Sequence, residues 1–239
     1  MGRLLLLSEW EKILQLHCFM HIVQKRVPDN PPLPDISLDN IAHIPSAFQW
    51  SEYAMYALLI IWFLVLCVHT HRSICLRRYL SIIGTLFFFR CVTMSVTSLH
   101  VPGVHLEYKP VEYGGWTERM YAAAGIWLGG GMTTQGVYTC GDYFYPGHTV
   151  MFTVLNFFII EYTSRLYFLL HMFTYFCNFY GMFLLLEGHE HYSIDVLFGF
   201  WLSCFWFLHC HTLANNGTFF KQKNSWLMSK KYFIWETKT

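Results

Sequence analysis

The stretch YAMYALLIIWFLVLCV, from Tyr53 to Val68, decides the fold, because it is apolar throughout and carries no charge. A helix that crosses a membrane needs about 20 mainly apolar residues, so this stretch, extended slightly at either end, predicts one. Four further runs predict spans for the same reason: Tyr79–Leu99, Val150–Tyr162 (starting a little earlier), Leu166–Leu186 and Val196–Leu213. The predicted fold class is therefore all-α, a multi-pass membrane helix bundle.

The composition indicates a protein whose surface largely avoids water. Of the 239 residues, 54% are hydrophobic and only 13% are charged, whereas soluble domains average about 25% charged residues. The formal net charge is +1, so nothing in the charge balance points to nucleic acid as a partner. The eight cysteines include no C-x-x-C pair, and we expect most of them to be small buried hydrophobic residues.

The chain divides into three predicted parts. The N-terminal run Leu4–Val23 is interrupted by charged side chains, so residues 1–26 are predicted to form a degenerate first span or an interfacial helix. Counting this run, the bundle would have about six transmembrane helices. Residues 27–215 are predicted to form a membrane-embedded domain, and residues 216–239 a basic cytosolic tail.

Basic residues in short loops predict the orientation of the bundle. The connection His69–Arg78 holds three arginines and the tail after Asn216 holds five lysines, so both are expected in the cytosol. Four predicted spans separate these two segments, an even number, as two cytosolic ends require. Two polar blocks, Cys140–Thr149 and His191–Asp195, then lie at the same non-cytosolic face of the membrane.

The second polar block reads HYSID. If it is helical, His191 and Asp195 share a face, because four residues are just over one helical turn. Asp195 could then accept a hydrogen bond from one ring nitrogen of His191 and leave the other nitrogen as a nucleophile. The alternative is an ordinary helix start, in which Ser193 and Asp195 act only near the helix N-terminus.

The first polar block reads CGDYFYPGHT and ends where a predicted span begins. His148 could protonate a leaving alkoxide and then deprotonate an incoming alcohol, beside helix N–H groups that attract phosphate. Asp142 could orient His148 or contact a cationic headgroup. The alternative is a loop-to-helix turn with an exposed histidine and a solvated aspartate.

Arg90 lies inside a predicted span, where a guanidinium is costly unless it is paired or faces a polar cavity. Its guanidinium could bind a phosphate group bidentately, through two parallel hydrogen bonds. Alternatively, it could pair with Glu161 or extend toward the interface.

A metal site is a weaker interpretation of the second polar block and the residues before it. The possible ligands are Glu187, His189, Glu190 and His191, and their spacing matches no zinc pattern. No metal and no organic cofactor is expected.

Four blocks in this order resemble the signature motifs of the sphingomyelin synthase family: PPLPD (Pro31–Asp35), FRCVTMSVTSL (Phe89–Leu99), CGDYFYPGHT and HYSID. The branch that includes the sphingomyelin synthase-related, or ceramide phosphoethanolamine synthase, proteins is the most similar. It shares the stretches RVPDNPPLPD and EHYSIDV. The resemblance implies a six-span enzyme related to the lipid phosphate phosphatases. It implies transfer of a phospho-headgroup from a glycerophospholipid to the primary hydroxyl of ceramide, with release of diacylglycerol.

The resemblance also implies the roles of individual residues. His191 would be the nucleophile that forms a phosphohistidine, Asp195 its partner, and His148 the acid and base. Glu190 stands where the sphingomyelin-making members have aspartate, and its longer side chain favours a primary ammonium over a trimethylammonium. The expected donor is therefore phosphatidylethanolamine.

The implied setting is the endoplasmic reticulum or the Golgi, with the active site facing the lumen and the C-terminus in the cytosol. The expected partners are membrane lipids, and a homo-oligomer is allowed but not specified. Pro146 departs from the family, which has serine there, and a lost hydrogen bond could weaken catalysis by roughly ten- to a hundredfold. Three alternatives remain open: a sphingomyelin synthase using phosphatidylcholine, a phospholipase C-type hydrolase, and a non-catalytic ceramide sensor.

Overall fold

A computed structural model describes residues 33–96 and 146–213, together with the isolated Thr117. The described ranges contain six helices and no strand, which confirms the all-α prediction. In chain order the helices are α1 (Ile36–Asn40), α2 (Ala47–Val68), α3 (Arg72–Val96), α4 (Gly147–Tyr162), α5 (Phe168–Glu187) and α6 (Ser193–Leu213). The predicted N-terminal segment 1–26, the tail 216–239 and Asp142 lie outside the described residues.

Three of the described helices, α2, α5 and α6, are long and apolar enough to cross a membrane. Helix α4 has 16 residues, which corresponds to about 24 Å at 1.5 Å per residue, shorter than the roughly 30 Å of bilayer hydrocarbon. Helix α3 has 25 residues and carries four arginines. Five of the predicted spans are thus helices, and the sixth candidate, Leu4–Val23, lies outside the described ranges.

Two helix boundaries differ from the sequence prediction. Helix α3 already begins at Arg72, so the three arginines predicted to lie in a loop occupy its first turns, where arginine is a good helix former. The segment before α2, for which no helix was predicted, contains the short helix α1. Asp35 stands before α1 and its side chain accepts a hydrogen bond from the Ser37 backbone N–H at 2.9 Å.

Helix α4 is the centre of the bundle. Its side chains are buried on every face, as expected for a helix that is apolar all round. They pack with residues of α2, α3, α5 and α6, among them Leu58, Trp62, Leu86, Leu185 and Phe207. A Cβ atom at Gly181 would lie 2.3 Å from the Phe152 ring, so the missing side chain lets α5 approach α4 closely.

The helix ends bring His148 and the second polar block to one end of the bundle. The Ile44 N–H just before α2 donates to the carbonyl of Glu187 at the end of α5, at 3.1 Å. A Cβ atom at Gly188 would lie 3.4 Å from the Phe48 nitrogen, and the ring of Phe48 contacts that of His148. The starts of α2, α4 and α6 therefore share this end, as the even number of spans predicted.

Candidate active site

The side chains of His148 and Glu52 lie within ion-pair distance of each other at this end of the bundle. The distance from His148 Nε2 to Glu52 Oε1 is 3.8 Å, and the two side chains are 15% and 0% exposed. The ring of Phe48 meets the imidazole edge-on with centroids 5.1 Å apart. A buried carboxylate at this distance can hold the imidazole of His148 in a fixed orientation.

Glu52 was missed by the sequence reasoning, although the sequence contained a signal for it. The predicted span was begun at Tyr53, one residue later, because residues 53–68 contain no charged side chain. Glu52 is the one charged residue within α2, and a carboxylate inside a membrane helix is costly enough to suggest a functional role.

Arg90 approaches the same end of the bundle from α3. A Cβ atom at Gly147 would lie only 2.2 Å from Arg90 Nη1, so the guanidinium rests against the first turn of α4, next to His148. The alternative pairing of Arg90 with Glu161 does not fit this position, because Glu161 lies 14 residues further along α4 than Gly147, about 21 Å away along the helix axis. Phosphate binding by Arg90 stays a prediction, and the position next to His148 is compatible with it.

Replacing Gly147 by alanine should displace the Arg90 guanidinium and lower the rate of any phosphoryl transfer by about tenfold to a hundredfold. The rate should be measured per folded protein in liposomes. In an Arg90→Ala background the same glycine substitution should add little, since the group it displaces is already gone. Fully multiplicative effects of the two substitutions would contradict the assigned contact.

Glu190 lies in the loop between α5 and α6 and shares its surroundings with Glu52. Burial and, to a smaller extent, the nearby charge of Glu52 together raise the pKa of the Glu190 carboxyl from 4.5 to about 7. Two carboxyl groups that repel one another in a partly buried site favour a cation between them. The pair therefore provides an acidic subsite next to His148.

His191 and Asp195 are both buried but are not joined as predicted. Helix α6 begins at Ser193, so His191 precedes it and the helical spacing rule does not apply. Both carboxylate oxygens of Asp195, which is 0% exposed, lack a hydrogen-bond partner among the described residues. The predicted His191–Asp195 hydrogen bond is therefore absent from this structure, although the two side chains lie in adjacent turns of the chain.

Two hydroxyl groups also lie at this end without a hydrogen-bond partner in the described ranges. They belong to Ser51, beside Glu52, and Thr149, beside His148, and both side chains are fully buried. A buried hydroxyl is costly unless it is hydrogen-bonded, so both are suited to donate to substrate oxygens.

Pro146 occupies the N-cap of α4 and supplies no side-chain cap to that helix. Within the described residues, no three His, Cys, Asp or Glu side chains are grouped closely enough to hold a metal ion. Of the predicted site residues, the structure brings Arg90, His148, Glu190, His191 and Asp195 to one end of the bundle, whereas Asp142 lies outside the described ranges.

Comparison with known proteins identifies relatives of this chain. Residues 139–212, which include both polar blocks, match the family described as PAP2 superfamily C-terminal. The chain is 52% identical over 199 residues to Sphingomyelin synthase-related protein 1 of Homo sapiens, covering 82% of this chain and 48% of the relative.

Two further relatives extend the comparison. Sphingomyelin synthase-related 1 of Caenorhabditis elegans is 46% identical over 200 residues, covering 82% of this chain and 41% of the relative. Phosphatidylcholine:ceramide cholinephosphotransferase 1 of Homo sapiens is 35% identical over 222 residues, covering 87% and 54%. The chain thus spans about half the length of these relatives.

Proposed function

Because this chain belongs to the sphingomyelin synthase family, we propose that it transfers phosphoethanolamine from phosphatidylethanolamine to the primary hydroxyl of ceramide. The products are ceramide phosphoethanolamine and diacylglycerol. The observation that carries the proposal is the convergence of His148, Glu52 and the Glu190–His191 loop at one end of the bundle. The proposed acid and base, His148, the proposed nucleophile, His191, and the carboxyl pair Glu52 and Glu190 then lie at the same end of the bundle.

In the first step, a ring nitrogen of His191 attacks the phosphorus of phosphatidylethanolamine. The bond between phosphorus and the glycerol oxygen breaks, and the leaving alkoxide takes a proton from His148, giving neutral diacylglycerol. Arg90, beside Gly147, neutralises charge on the non-bridging phosphate oxygens. Glu52, 3.8 Å from His148 Nε2, holds the imidazole in orientation for this proton transfer.

In the second step, His148 takes the proton from the primary hydroxyl of ceramide. The ceramide oxygen forms a bond to phosphorus, and the bond between His191 and phosphorus breaks, so the free imidazole returns. The buried carboxylate of Asp195 is an acceptor for the ring N–H of His191 when the ring carries positive charge. Hydrogen bonds at active sites often tighten only when substrate is bound, which fits the open arrangement of these two side chains.

The choice of headgroup rests on the carboxyl pair Glu190 and Glu52. A primary ammonium can donate hydrogen bonds to either carboxylate, whereas the trimethylammonium of phosphatidylcholine cannot donate and is larger. Burial of the pair strengthens this preference, because an unpaired carboxylate costs more in a site that excludes water.

The KM for phosphatidylethanolamine should rise as the pH falls through about 7. The pKa of Glu190 is raised by burial and by the charge of Glu52 to about 7, so acid removes the negative charge that holds the ammonium. The expected change is up to about tenfold per pH unit below that value. A Glu190→Gln variant should have a high KM that is almost independent of pH between about 5.5 and about 8.

The stability of the lipid-free protein should change in the opposite sense. Since the folded pKa of Glu190 exceeds its ordinary value of 4.5, the folded state binds more protons between these two values. The free energy of unfolding should therefore fall as the pH rises from 4.5 to about 7 and then level off. A rise in stability across this window, measured with and without Glu190→Gln, would contradict the assignment.

The proposed function is tested with purified protein in liposomes that contain labelled ceramide and a single donor lipid. We expect ceramide phosphoethanolamine with phosphatidylethanolamine and little product with phosphatidylcholine. Glu190→Asp should shift the ratio toward sphingomyelin, because the shorter side chain leaves more room for a trimethylammonium. Sphingomyelin as the sole product of the parent protein would overturn the headgroup assignment, and diacylglycerol release without any ceramide product would support a hydrolase.

We also propose that the site faces the lumen of the endoplasmic reticulum or the Golgi. The proposal rests on the arginines at the start of α3 and the lysines after Asn216, both of which mark the cytosolic side. The sequon at Asn216 would then remain unglycosylated. A glycan attached at Asn216 in secretory cells would reverse the orientation.

A further inference from the structure

The segment from residue 33 to residue 44 lies alongside the loop that carries His191 and is hydrogen-bonded to it. Hydrogen bonds join the two at both ends of the loop: Leu33 N–H donates to the hydroxyl of Tyr192 at 3.3 Å, and Ile44 N–H to the carbonyl of Glu187 at 3.1 Å. His189 Nε2 donates to the carbonyl of Ile41 at 2.9 Å. We call residues 33–44 the strap.

Asp35 is the central contact of the strap. Its Oδ2 accepts a hydrogen bond from the Ser193 backbone N–H at 3.0 Å, and its Oδ1 accepts one from the Ser193 hydroxyl at 2.7 Å. Oδ1 also accepts bonds from the backbone N–H and the hydroxyl of Ser37, at 2.9 and 2.5 Å. One carboxylate thus caps the starts of both α1 and α6, although it lies 158 residues before Ser193.

The charge of Asp35 is suited to this position. Burial alone would raise the pKa of the Asp35 carboxyl, but the hydrogen bonds from Ser37 and Ser193 outweigh burial and hold it below its ordinary value. The carboxylate is therefore ionised near neutral pH, and the positive end of the α6 dipole adds to its attraction.

The loop that the strap holds has a backbone conformation that needs support. His189 has a φ angle of 53°, in the left-handed region that residues other than glycine adopt at a cost. The hydrogen bond from its ring to Ile41 ties this residue to the strap. With Ser193 fixed on the other side, both flanks of His191 are held by residues 33–44.

We propose that Asp35 is a positioning residue for the transfer reaction, acting through Ser193 to hold His191 in line with the phosphorus of the donor lipid. This inference rests on the proposed function, and it assigns a task to the PPLPD block that the two-histidine mechanism leaves unused. Asp35 does not touch the substrate. Its effect is on the orientation of the nucleophile, where a displacement of about 1 Å can cost a hundredfold in rate.

The test measures kcat and KM for phosphatidylethanolamine in liposomes, per folded protein, for Asp35→Ala, Asp35→Asn and Ser193→Ala. We expect kcat to fall about a hundredfold for Asp35→Ala and about tenfold for the other two, which each keep part of the cap. KM should stay within about threefold, because lipid binding does not use Asp35. The matched control is Asp39→Asn, an exposed aspartate in the same short helix, which should match the parent protein.

A double variant separates positioning through Ser193 from a general effect on folding. Asp35→Ala combined with Ser193→Ala should have nearly the same kcat as Asp35→Ala alone, since both remove one connection. A parental kcat per folded protein in Asp35→Ala, with any loss of total activity explained by a smaller folded fraction, would overturn the inference. If Asp35→Ala fails to fold, the near-isosteric Asp35→Asn and Ser193→Ala decide between these outcomes.

Failure of this inference is distinguishable from failure of the proposed function. A parent protein that makes no ceramide product refutes the proposed function. A parent protein that does make it, together with unchanged kcat in the Asp35 and Ser193 variants, refutes only the positioning role.

Discussion

Replacing His191 by alanine should abolish transfer to ceramide, with a fall in kcat of at least about a thousandfold. The loss should be this large because, in the proposed mechanism, the imidazole of His191 forms the bond to phosphorus. The measurement is the formation of labelled ceramide product in liposomes over a time course long enough to detect the residual rate.

The matched control for His191→Ala is His171→Ala. His171 lies at the other end of the bundle, where its ring contacts the Thr163 hydroxyl at 2.7 Å, so the control removes a helix-associated imidazole without touching the site. It should retain the parental rate per folded protein. Transfer by His191→Ala at a tenth of the parental rate or more would show that His191 is not the nucleophile.

Replacing Glu52 by glutamine should lower kcat by about a hundred- to a thousandfold while the bundle still folds. Glutamine keeps the shape of the side chain but removes the negative charge 3.8 Å from His148 Nε2. The imidazole then lacks the anion that orients it, so proton transfer from His148 to the leaving alkoxide is slower. Neutralising the carboxylate that orients a catalytic histidine is known to cost up to about ten-thousandfold in another enzyme class.

The control for Glu52→Gln is Glu161→Gln, an exposed carboxylate at the far end of α4. Thermal unfolding of both variants should be recorded beside the rate. A Glu52→Gln variant with the parental rate would show that His148 does not depend on this charge. If total activity falls only because less of the Glu52→Gln variant folds, Glu52 has a purely structural role.

The fold was largely predictable from the sequence, because long apolar runs indicate membrane helices. The cores of α2, α5 and α6 were located correctly from such runs. The ends were not, since arginine is compatible with a helix: α3 continues through Arg72, Arg77 and Arg78 where a loop was predicted.

The candidate site was predictable only in part, because its contacts join residues far apart in the chain. His148 and Arg90 were found as polar residues in apolar surroundings. Asp35 was visible only as the last residue of the PPLPD block, and its hydrogen bond to Ser193 depends on how α6 packs beside the strap. The predicted His191–Asp195 hydrogen bond assumed a helix at His191, whereas α6 begins two residues later.

Glu52 shows how a strict hydrophobicity criterion can hide a functional residue. A span that is begun at the first uncharged residue excludes the carboxylate next to it. The structure places that carboxylate inside α2, fully buried, facing His148. Charged residues at the edge of a predicted span are therefore worth testing as members of a site.

The most direct test of the central claim is the stereochemical course at phosphorus. A phosphatidylethanolamine that is chiral at phosphorus would be the donor, and the configuration of the ceramide product would be determined. Transfer through His191 comprises two displacements, each of which inverts the phosphorus, so the account predicts overall retention of configuration. Inversion would show direct attack by ceramide on the donor lipid and would contradict the role assigned to His191.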